Sequence, residues 1–285
     1  MKKIFPFLIF SLFALAGNAQ LLYKISGKGL KEPSYIVGTQ HYARISFIDS
    51  IPGLRRVMDE TQQVYGEINE DTTNNDQLFD QYAFMPEGVS FQSLFTPEEL
   101  QRLHDYAVET CHLDSLQWKL LQDLTPAVVS HYLGLKRDNV QNTDYDDYFK
   151  KQALAQGKNV GGLETRQFSL EMLFGATLQR QKERLMCEID NNFKNPDEKA
   201  ANYYYTQDFK YIWECFLKSM NDYCYTQQDF VRMLDDRNAD WLTKMPAIMQ
   251  QKSTLFVVGI AHLPGDKGVL QLLKNAGYKV KAVKK

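Results

Sequence analysis

Two short segments at opposite ends of the chain share the spacing Gly-x-x-His, and each follows an apolar run typical of a strand. They occupy residues 38–41 and 259–262, in a chain of 285 residues that contains only five histidines. Glycine permits close backbone approaches that a Cβ would block, so such a segment can aim an imidazole back across the end of a strand. Either segment alone fits an ordinary turn. Their repetition predicts that His41 and His262 share one site.

Two carboxylates are placed to join these histidines. Glu67 falls late in a predicted strand at residues 64–68, and Glu164 ends another at residues 158–164. Two neutral imidazoles and one carboxylate form a common ligand set for a catalytic divalent metal, with a coordination position left for water. The sequence favours Glu67 as that carboxylate. Either acid could instead be structural and paired with an arginine, because a buried carboxylate needs a compensating partner.

Arg237 is the cationic residue that the sequence offers for a role in this site. It stands in a helical stretch rich in acids. An arginine that faces the site could bind a substrate carboxylate through two parallel hydrogen bonds. A surface ion pair with a neighbouring acid explains the residue equally simply, and the local sequence favours that interpretation.

The elements that must position these residues alternate between strands and helices. Hydrophobic periodicity and turn residues predict strands at 22–26, 34–37, 64–68, 158–164, 253–259 and 278–283. Helices are predicted at 52–63, 115–123, 126–136, 144–156, 166–186, 197–220, 226–250 and 265–276. The clearest helix start is at Thr96, where a capping hydroxyl precedes proline and two acids.

This order predicts an α/β fold of the mixed α+β kind. We expect a central mixed β-sheet, flanked by helices, with a large helical middle section and an active site at the strand ends. An apolar strand, a helix and a strand close the chain, which is typical of parallel pairing through a crossover helix. Ligands of open α/β sheets gather beyond the carboxyl ends of the strands. That rule places His41, Glu67, Glu164 and His262 along one edge.

The first 19 residues are predicted to be a secretory signal. Lys2 and Lys3 precede an apolar run at residues 4–16, and small residues follow at 17–19. A retained anchor is the competing interpretation, but the run is shorter than the ~20 residues that span a bilayer. We expect an exported protein, periplasmic or secreted, that is not an integral membrane protein.

The remaining chain, residues 20–285, is predicted to form a single domain. It shows no fixed-period repeat and no low-complexity linker. Loss of the two signal lysines changes the formal net charge from −2 to −4. Such a mildly acidic protein has no electrostatic basis for binding nucleic acid or anionic lipid.

The four cysteines, Cys111, Cys187, Cys215 and Cys224, form no Cys-x-x-Cys pair. A zinc finger is therefore unsupported. Export permits disulfides, and both a Cys215–Cys224 bond and buried thiols stay open. The chain lacks a Gly-x-Ser-x-Gly elbow, a phosphate-binding loop and a His-Glu-x-x-His motif, so serine esterases, P-loop enzymes and zincin peptidases lose their usual signals.

Taken together, these residues resemble the TraB/GumN family, which includes the Tiki proteins that cleave Wnt. The resemblance covers nearly all of the mature chain. It rests on the Gly-x-x-His segment at 38–41 followed by Pro52, on Glu67, on the segments 162–165 and 259–265, on Arg237-Asn238 with Trp241, and on Gly268. The chain departs from the expected pattern at Gln40, where an apolar residue is usual, and at Asp236, where glutamate is usual.

The resemblance implies a metal-dependent hydrolase that acts on peptides or proteins. It implies His41, Glu67 and His262 as ligands of Mn²⁺, Co²⁺ or Zn²⁺. Glu164 would serve as general base or as support for the ligands, and Arg237 would position a substrate carboxylate or stabilise negative charge. Two alternatives stay open: a periplasmic or surface protein that binds peptide or haem without turnover, and a metal-free hydrolase with a histidine base. The oligomeric state is not predicted.

Overall fold

The architecture comes from a computed structural model that describes residues 20–40, 43–69, 75–138, 145–193, 202–222 and 224–283. The predicted signal at 1–19 and His41 lie outside these ranges. A six-stranded sheet with the order β4-β3-β5-β2-β1-β6 organises the chain, which confirms the predicted mixed α/β class. The strands are β1 Leu22–Ser26, β2 Ser34–Thr39, β3 Gln63–Asn69, β4 Asn159–Thr165, β5 Thr254–Gly259 and β6 Lys279–Ala282.

Four neighbouring strands of the sheet run parallel. β5 lies between β2 and β3, and β4 pairs with the far side of β3. β1 pairs antiparallel with β2. The last two strands run in the same direction, as predicted, but their predicted pairing is wrong, because β6 pairs with β1 at the sheet edge. β2 and β3 already take both sides of β5, so the crossover helix carries the chain past two strands.

Helices make up most of the rest of the described chain. The π-helical turns are Tyr106–Thr110 and Val231–Asp235, and 3₁₀ turns span Ile45–Ser50 and Ile260–His262. The α-helices are Leu54–Glu60, Asn75–Ala83, Phe91–Leu94, Pro97–Asp105, Ser115–Leu121, Pro126–Asp138, Tyr145–Ala155, Arg166–Phe174, Leu178–Asp190, Phe209–Asp222, Gln227–Phe230, Asp236–Gln251 and Val269–Asn275.

Local signals explain where several helices begin. The Thr96 hydroxyl accepts from the Glu99 N–H, and the Glu99 carboxylate accepts from the Thr96 N–H at 2.8 Å, so the predicted helix start is confirmed. The helix predicted from residue 52 begins only after Gly53, which has φ 77°. The helix predicted at 166–186 is two helices, because the chain leaves the first at Gly175 and Thr177 caps the second.

Two apolar clusters support these elements. The first surrounds the sheet and includes Ile36, Val257 and Trp241, each with no exposed surface. The second lies among helices of the middle section and includes Leu103 and Leu185, which are equally buried. Part of the helical middle section therefore has its own core, while its helix Tyr145–Ala155 packs into the core of the sheet through Tyr145 and Phe149.

One disulfide joins the helical section to the segment before Thr226. Cys187 and Cys224 are bonded, with their Cα atoms 5.6 Å apart. Neither Cys111 nor Cys215 takes part in a disulfide, so the Cys215–Cys224 pairing considered from sequence does not form. Within the described ranges, every helix is too short or too polar to cross a bilayer.

Candidate functional site

The carboxyl ends of three parallel strands bring the predicted site residues together. Glu67 lies near the end of β3, and Glu164 lies near the end of β4, opposite Ile68. His262 follows β5 in the 3₁₀ turn Ile260–His262. Because these strands are neighbours and run the same way, their end residues converge at one edge of the sheet. The structure thus unites three residues that are far apart in the sequence.

Arg237 lies at the centre of this group. Its Nε donates to Glu164 Oε2 at 3.0 Å, and its Nη2 donates to Glu164 Oε1 at 2.9 Å. The same Nη2 donates to Glu67 Oε2 at 2.6 Å. The side chain of Arg237 is 11% exposed and that of Glu164 is fully buried. The surface ion pair favoured by the local sequence is therefore wrong for Arg237, which joins two strand-end carboxylates inside the protein.

The charges of this group depend on one another. Burial disfavours the charged form of Arg237, but Glu67 and Glu164 outweigh it and raise the pKa of the guanidinium. Burial raises the pKa of Glu164, while hydrogen bonds from Arg237 and from Trp241 Nε1, at 2.8 Å, oppose that rise. The Trp241 ring also lies beside the guanidinium, 5.0 Å from Arg237 Cζ to the ring centroid. Loss of Arg237 would leave the buried Glu164 carboxylate without its cation, and loss of Glu164 would leave Arg237 without its bidentate partner.

Both ring nitrogens of His262 have partners on the helix Asp236–Gln251. Nδ1 lies 2.7 Å from Asn238 Oδ1, and Nε2 lies 3.1 Å from Arg237 Nη1. The Asn238 amide orientation is set by Nδ2, which donates to the carbonyl oxygen of Lys267 at 3.0 Å. Since Oδ1 can only accept, we assign the proton to Nδ1. The neutral ring then directs the lone pair of Nε2 towards Arg237.

Gly259 connects the second Gly-x-x-His segment to Glu67. Its N–H donates to Glu67 Oε1 at 2.7 Å. A Cβ at this position would lie 3.3 Å from the same oxygen and 3.6 Å from His262 Cδ2. The glycine therefore supplies a donor to the carboxylate and leaves room for both side chains.

Gly38, which begins the first Gly-x-x-His segment, packs against the second segment. Gly38 lies opposite Val258 in the β2–β5 ladder, and a Cβ at Gly38 would meet Ile260 Cδ1 at 2.4 Å. The glycine permits close approach of the turn that carries His262. His41 lies outside the described residues, so its place beside His262 stays a prediction.

Two of the three predicted metal ligands can be compared directly. His262 Nε2 and Glu67 Oε1 are 3.9 Å apart. In the parts of the chain that the structure describes, no three histidine, cysteine, aspartate or glutamate side chains are grouped as a metal site requires. The predicted set needs His41 as its third member. Imidazole and carboxylate are nevertheless the donors that Mn²⁺, Co²⁺ and Zn²⁺ accept.

The sequence assigned no role to several residues that support the site. Asn238 and Trp241 hold the site from one side, as described above. On another side of the site, Asp146 Oδ2 accepts a hydrogen bond from the Glu67 N–H at 3.1 Å, and Lys150 Nζ donates to the Ile68 carbonyl oxygen at 2.9 Å. Both belong to the helix Tyr145–Ala155. An acid in the first turn of a helix is its only local signal, and nothing in the sequence relates that helix to β3.

The other histidines stand apart from these residues. His104 packs edge-on against Trp118, with ring centroids 5.0 Å apart. In the aromatic stretch that begins at Tyr203, the fully buried Tyr204 donates its hydroxyl to the Gly38 carbonyl oxygen at 2.8 Å. Tyr204 therefore belongs to the core and supports the strand that leads to residue 41.

Comparison with known proteins adds a family assignment. A family model described as the TraB/PrgY/gumN family matches residues 21–282. This match includes every strand and all the site residues described above. No curated protein and no solved structure matches the chain.

Proposed function

The chain belongs to the TraB/PrgY/gumN family, and we propose on this basis that it is an exported metal-dependent hydrolase that cleaves peptide bonds. One observation carries the proposal. His262 Nε2 and Glu67 Oε1 lie 3.9 Å apart at the ends of adjacent parallel strands. Two donors that bind one ion at about 2.0–2.2 Å each can be up to about 4 Å apart.

The described donors fit a divalent ion in their chemistry. His262 has its proton on Nδ1, where Asn238 holds it, and metal-binding histidines are commonly oriented in this way through the other ring nitrogen. Glu67 contributes a carboxylate oriented by the Gly259 N–H. His41 is the third proposed ligand. An ion held by these residues supplies Lewis acidity at a peptide carbonyl and lowers the pKa of a water molecule.

Arg237 and Glu164 have distinct roles in this proposal. Arg237 holds a positive charge within reach of Glu67 and His262, so it stabilises negative charge that develops on the peptide oxygen or positions a substrate carboxylate. Both oxygens of Glu164 already accept hydrogen bonds, and its side chain has no exposed surface. This geometry favours support of Arg237 over a general-base role for Glu164.

The disulfide supports the export part of the proposal. Cys187–Cys224 belongs to a class of bond that persists in oxidising compartments and is rare in the reducing cytosol. Together with the predicted signal at residues 1–19, it favours a periplasmic or secreted protein.

A second function is favoured by a different contact. Arg237 already donates to both His262 Nε2 and Glu67, so both residues have a partner without an ion. A protein that binds a peptide or haem without turnover fits this arrangement. The two functions differ in their need for a metal, which can be measured.

Metal content and cleavage test the proposal separately. Protein purified without chelator should contain stoichiometric Mn²⁺, Co²⁺ or Zn²⁺, and His262→Ala should lose it. A mixed peptide library incubated with Mn²⁺ or Co²⁺ should be cleaved by the natural protein and left intact by His41→Ala. Thr243→Ala, an exposed change on the helix that carries Arg237, is the matched control for both assays. Metal without cleavage would support ligand binding, and absence of metal under every supplementation would reject the metal centre.

A further inference from the structure

Arg237 contacts both described side chains that the proposed metal ion would use; at Glu67 it bonds Oε2, while Oε1 is the oxygen that lies 3.9 Å from His262 Nε2. Its Nη1 lies 3.1 Å from His262 Nε2, and its Nη2 lies 2.6 Å from Glu67 Oε2. The proton on Nδ1 leaves the Nε2 lone pair as the acceptor in the first contact. The guanidinium therefore interacts with one neutral imidazole and one carboxylate, which is the donor combination proposed for the ion.

The guanidinium has a second attachment that does not involve these ligands. Its Nε and Nη2 donate to the two oxygens of Glu164, which also accepts from Trp241 Nε1. Arg237 can thus lose the contact of Nη1 with His262 and the contact of Nη2 with Glu67 while its bonds to Glu164 remain. Its positive charge then stays next to the ligands.

We infer that Arg237 is a tethered cation that competes with the divalent ion for His262 and Glu67, and that Glu164 is its tether. This inference rests on the proposed metal centre and concerns its regulation. An ion that binds Nε2 of His262 must replace the hydrogen bond from Arg237 Nη1, share the Glu67 carboxylate with Nη2, and tolerate a retained positive charge at close range. Both effects weaken the affinity of the site for the ion, so the centre fills only when the free ion is plentiful.

A paired substitution tests the competition without leaving an unmatched buried charge. Arg237→Met alone would strand the buried Glu164 carboxylate, which destabilises proteins strongly. The double variant Arg237→Met/Glu164→Gln removes one positive and one negative charge, so the net charge is unchanged. Calorimetric titration with Co²⁺, accompanied by the visible absorption of bound Co²⁺, measures affinity independently of catalysis. We expect the double variant to bind Co²⁺ at least about tenfold more tightly than the natural protein, equivalent to about 1.4 kcal/mol.

Two further variants sharpen the result. Lys244→Met removes a positive charge from the same helix and should leave the affinity for Co²⁺ unchanged. Lys244 donates to the Leu163 carbonyl oxygen and pairs with Asp240, and neither contact involves His262 or Glu67. Arg237→Lys keeps the charge but replaces the five-donor fork with a single ammonium. It should also tighten Co²⁺ binding, and it serves if circular dichroism shows that the double variant does not fold.

The outcomes separate this inference from the proposed function. Equal Co²⁺ affinity in the natural protein and the variants would overturn the competition while the metal centre stands. Weaker binding in the variants would also overturn it, since Arg237 would then assist the ion. Co²⁺ binding by the double variant but not by the natural protein would support the competition and reject the metal centre as a resident feature. Binding by neither would reject both.

Discussion

Asn238 accepts a hydrogen bond from the Nδ1 of His262 at 2.7 Å, and this contact decides which nitrogen of the ring is available at the site. Asn238 can do so because its Nδ2 is engaged with the Lys267 carbonyl oxygen, which prevents the amide from turning. Both side chains are buried. One helix therefore holds His262 from both sides, through Asn238 at Nδ1 and through Arg237 at Nε2.

The first prediction concerns this contact. Asn238→Ala should lower the affinity for Mn²⁺ or Co²⁺ by about 10–100-fold, because the ring loses its fixed tautomer and orientation. Asn238→Asp keeps an acceptor for Nδ1 and should retain more affinity than the alanine variant. Equilibrium titration with either ion measures the difference. Thr243→Ala on the same helix is the control, and an equal loss in Asn238→Ala and Thr243→Ala would contradict the assignment.

The second prediction concerns the buried carboxylate of Glu164. Glu164→Ala should lower the free energy of unfolding by about 3–5 kcal/mol, because Arg237 loses its bidentate partner inside the protein. Glu214 pairs with Lys210 at the surface, where both side chains are more than half exposed. Glu214→Ala should change stability by at most about 1 kcal/mol. Urea unfolding compares the two variants, and similar losses would show that the Arg237–Glu164 pair contributes little.

Local patterns predicted the strand ends that carry the site. The apolar run of β5 followed by Gly259 indicates a strand with a residue aimed over its end, and the short run that ends near Glu67 does the same for β3. These signals are local because burial on both faces of a parallel strand demands a continuous apolar segment. For that reason Glu67 and His262 could be selected before their proximity was known.

The contacts of Arg237 could not be predicted from its neighbours in the chain. Its carboxylate partners lie 73 and 170 residues away in the sequence. Several acids close to Arg237 in the sequence could equally form a surface ion pair with it. The π-helical turn Val231–Asp235 immediately precedes its helix, and the hydrophobic pattern gave no sign of this turn. The face that Arg237 occupies therefore depends on packing of that helix against the sheet edge.

The same limit applies to the sheet edge and to the cysteines. The sequence predicts that β6 pairs with β5, but β2 and β3 occupy the two sides of β5. Cys187 pairs with Cys224 across 37 residues, although Cys215 is nearer in sequence to Cys224. Both choices are made by the positions of whole elements, which no local pattern encodes.

The third prediction tests the close approach of the two Gly-x-x-His segments. Gly38→Ala should destabilise the protein by about 1–3 kcal/mol, because the new Cβ would lie 2.4 Å from Ile260 Cδ1 and 3.2 Å from Ile260 Cα. Gly134→Ala is the matched control. Its Cβ would meet nothing closer than 3.7 Å, from Phe193 Cδ1, and alanine favours a helix by up to about 1 kcal/mol. Thermal unfolding should therefore separate the two, and a neutral Gly38→Ala would refute the close packing.

The fourth prediction concerns the disulfide. Replacing Cys187 and Cys224 with serine should lower the free energy of unfolding by about 2–4 kcal/mol, because the bond constrains the unfolded chain. A reducing agent should lower the unfolding temperature of the natural protein and leave that of the double variant unchanged. Cys215→Ser, which removes a free thiol, should keep the response to reductant. A natural protein that is insensitive to reductant would argue against this bond.

The fifth prediction concerns acid stability near that disulfide. Burial raises the pKa of Asp229, but hydrogen bonds from Arg180 and from Thr226 outweigh it, so the pKa lies below its usual value. Folding therefore favours the ionised form. The resulting stability is fully present above the unfolded pKa of about 3.9 and is lost as pH falls through the folded value.

Urea unfolding should be measured from about pH 6 to about pH 2, a range that includes the unfolded aspartate pKa of about 3.9. The free energy of unfolding should fall more steeply with pH in the natural protein than in Asp229→Asn. Thr226→Ala removes the hydroxyl donor to Asp229 and keeps the backbone N–H donor, so its slope should be intermediate, although the loss of the helix cap on the Asp229 N–H lowers its stability at every pH. Arg180 remains in place in both variants and keeps its bond to the Cys224 carbonyl oxygen at 2.8 Å, which limits the change to the carboxylate. Equal slopes in all three proteins would show that Asp229 does not govern the acid response, because a carboxylate with the same pKa in both states contributes no dependence on pH.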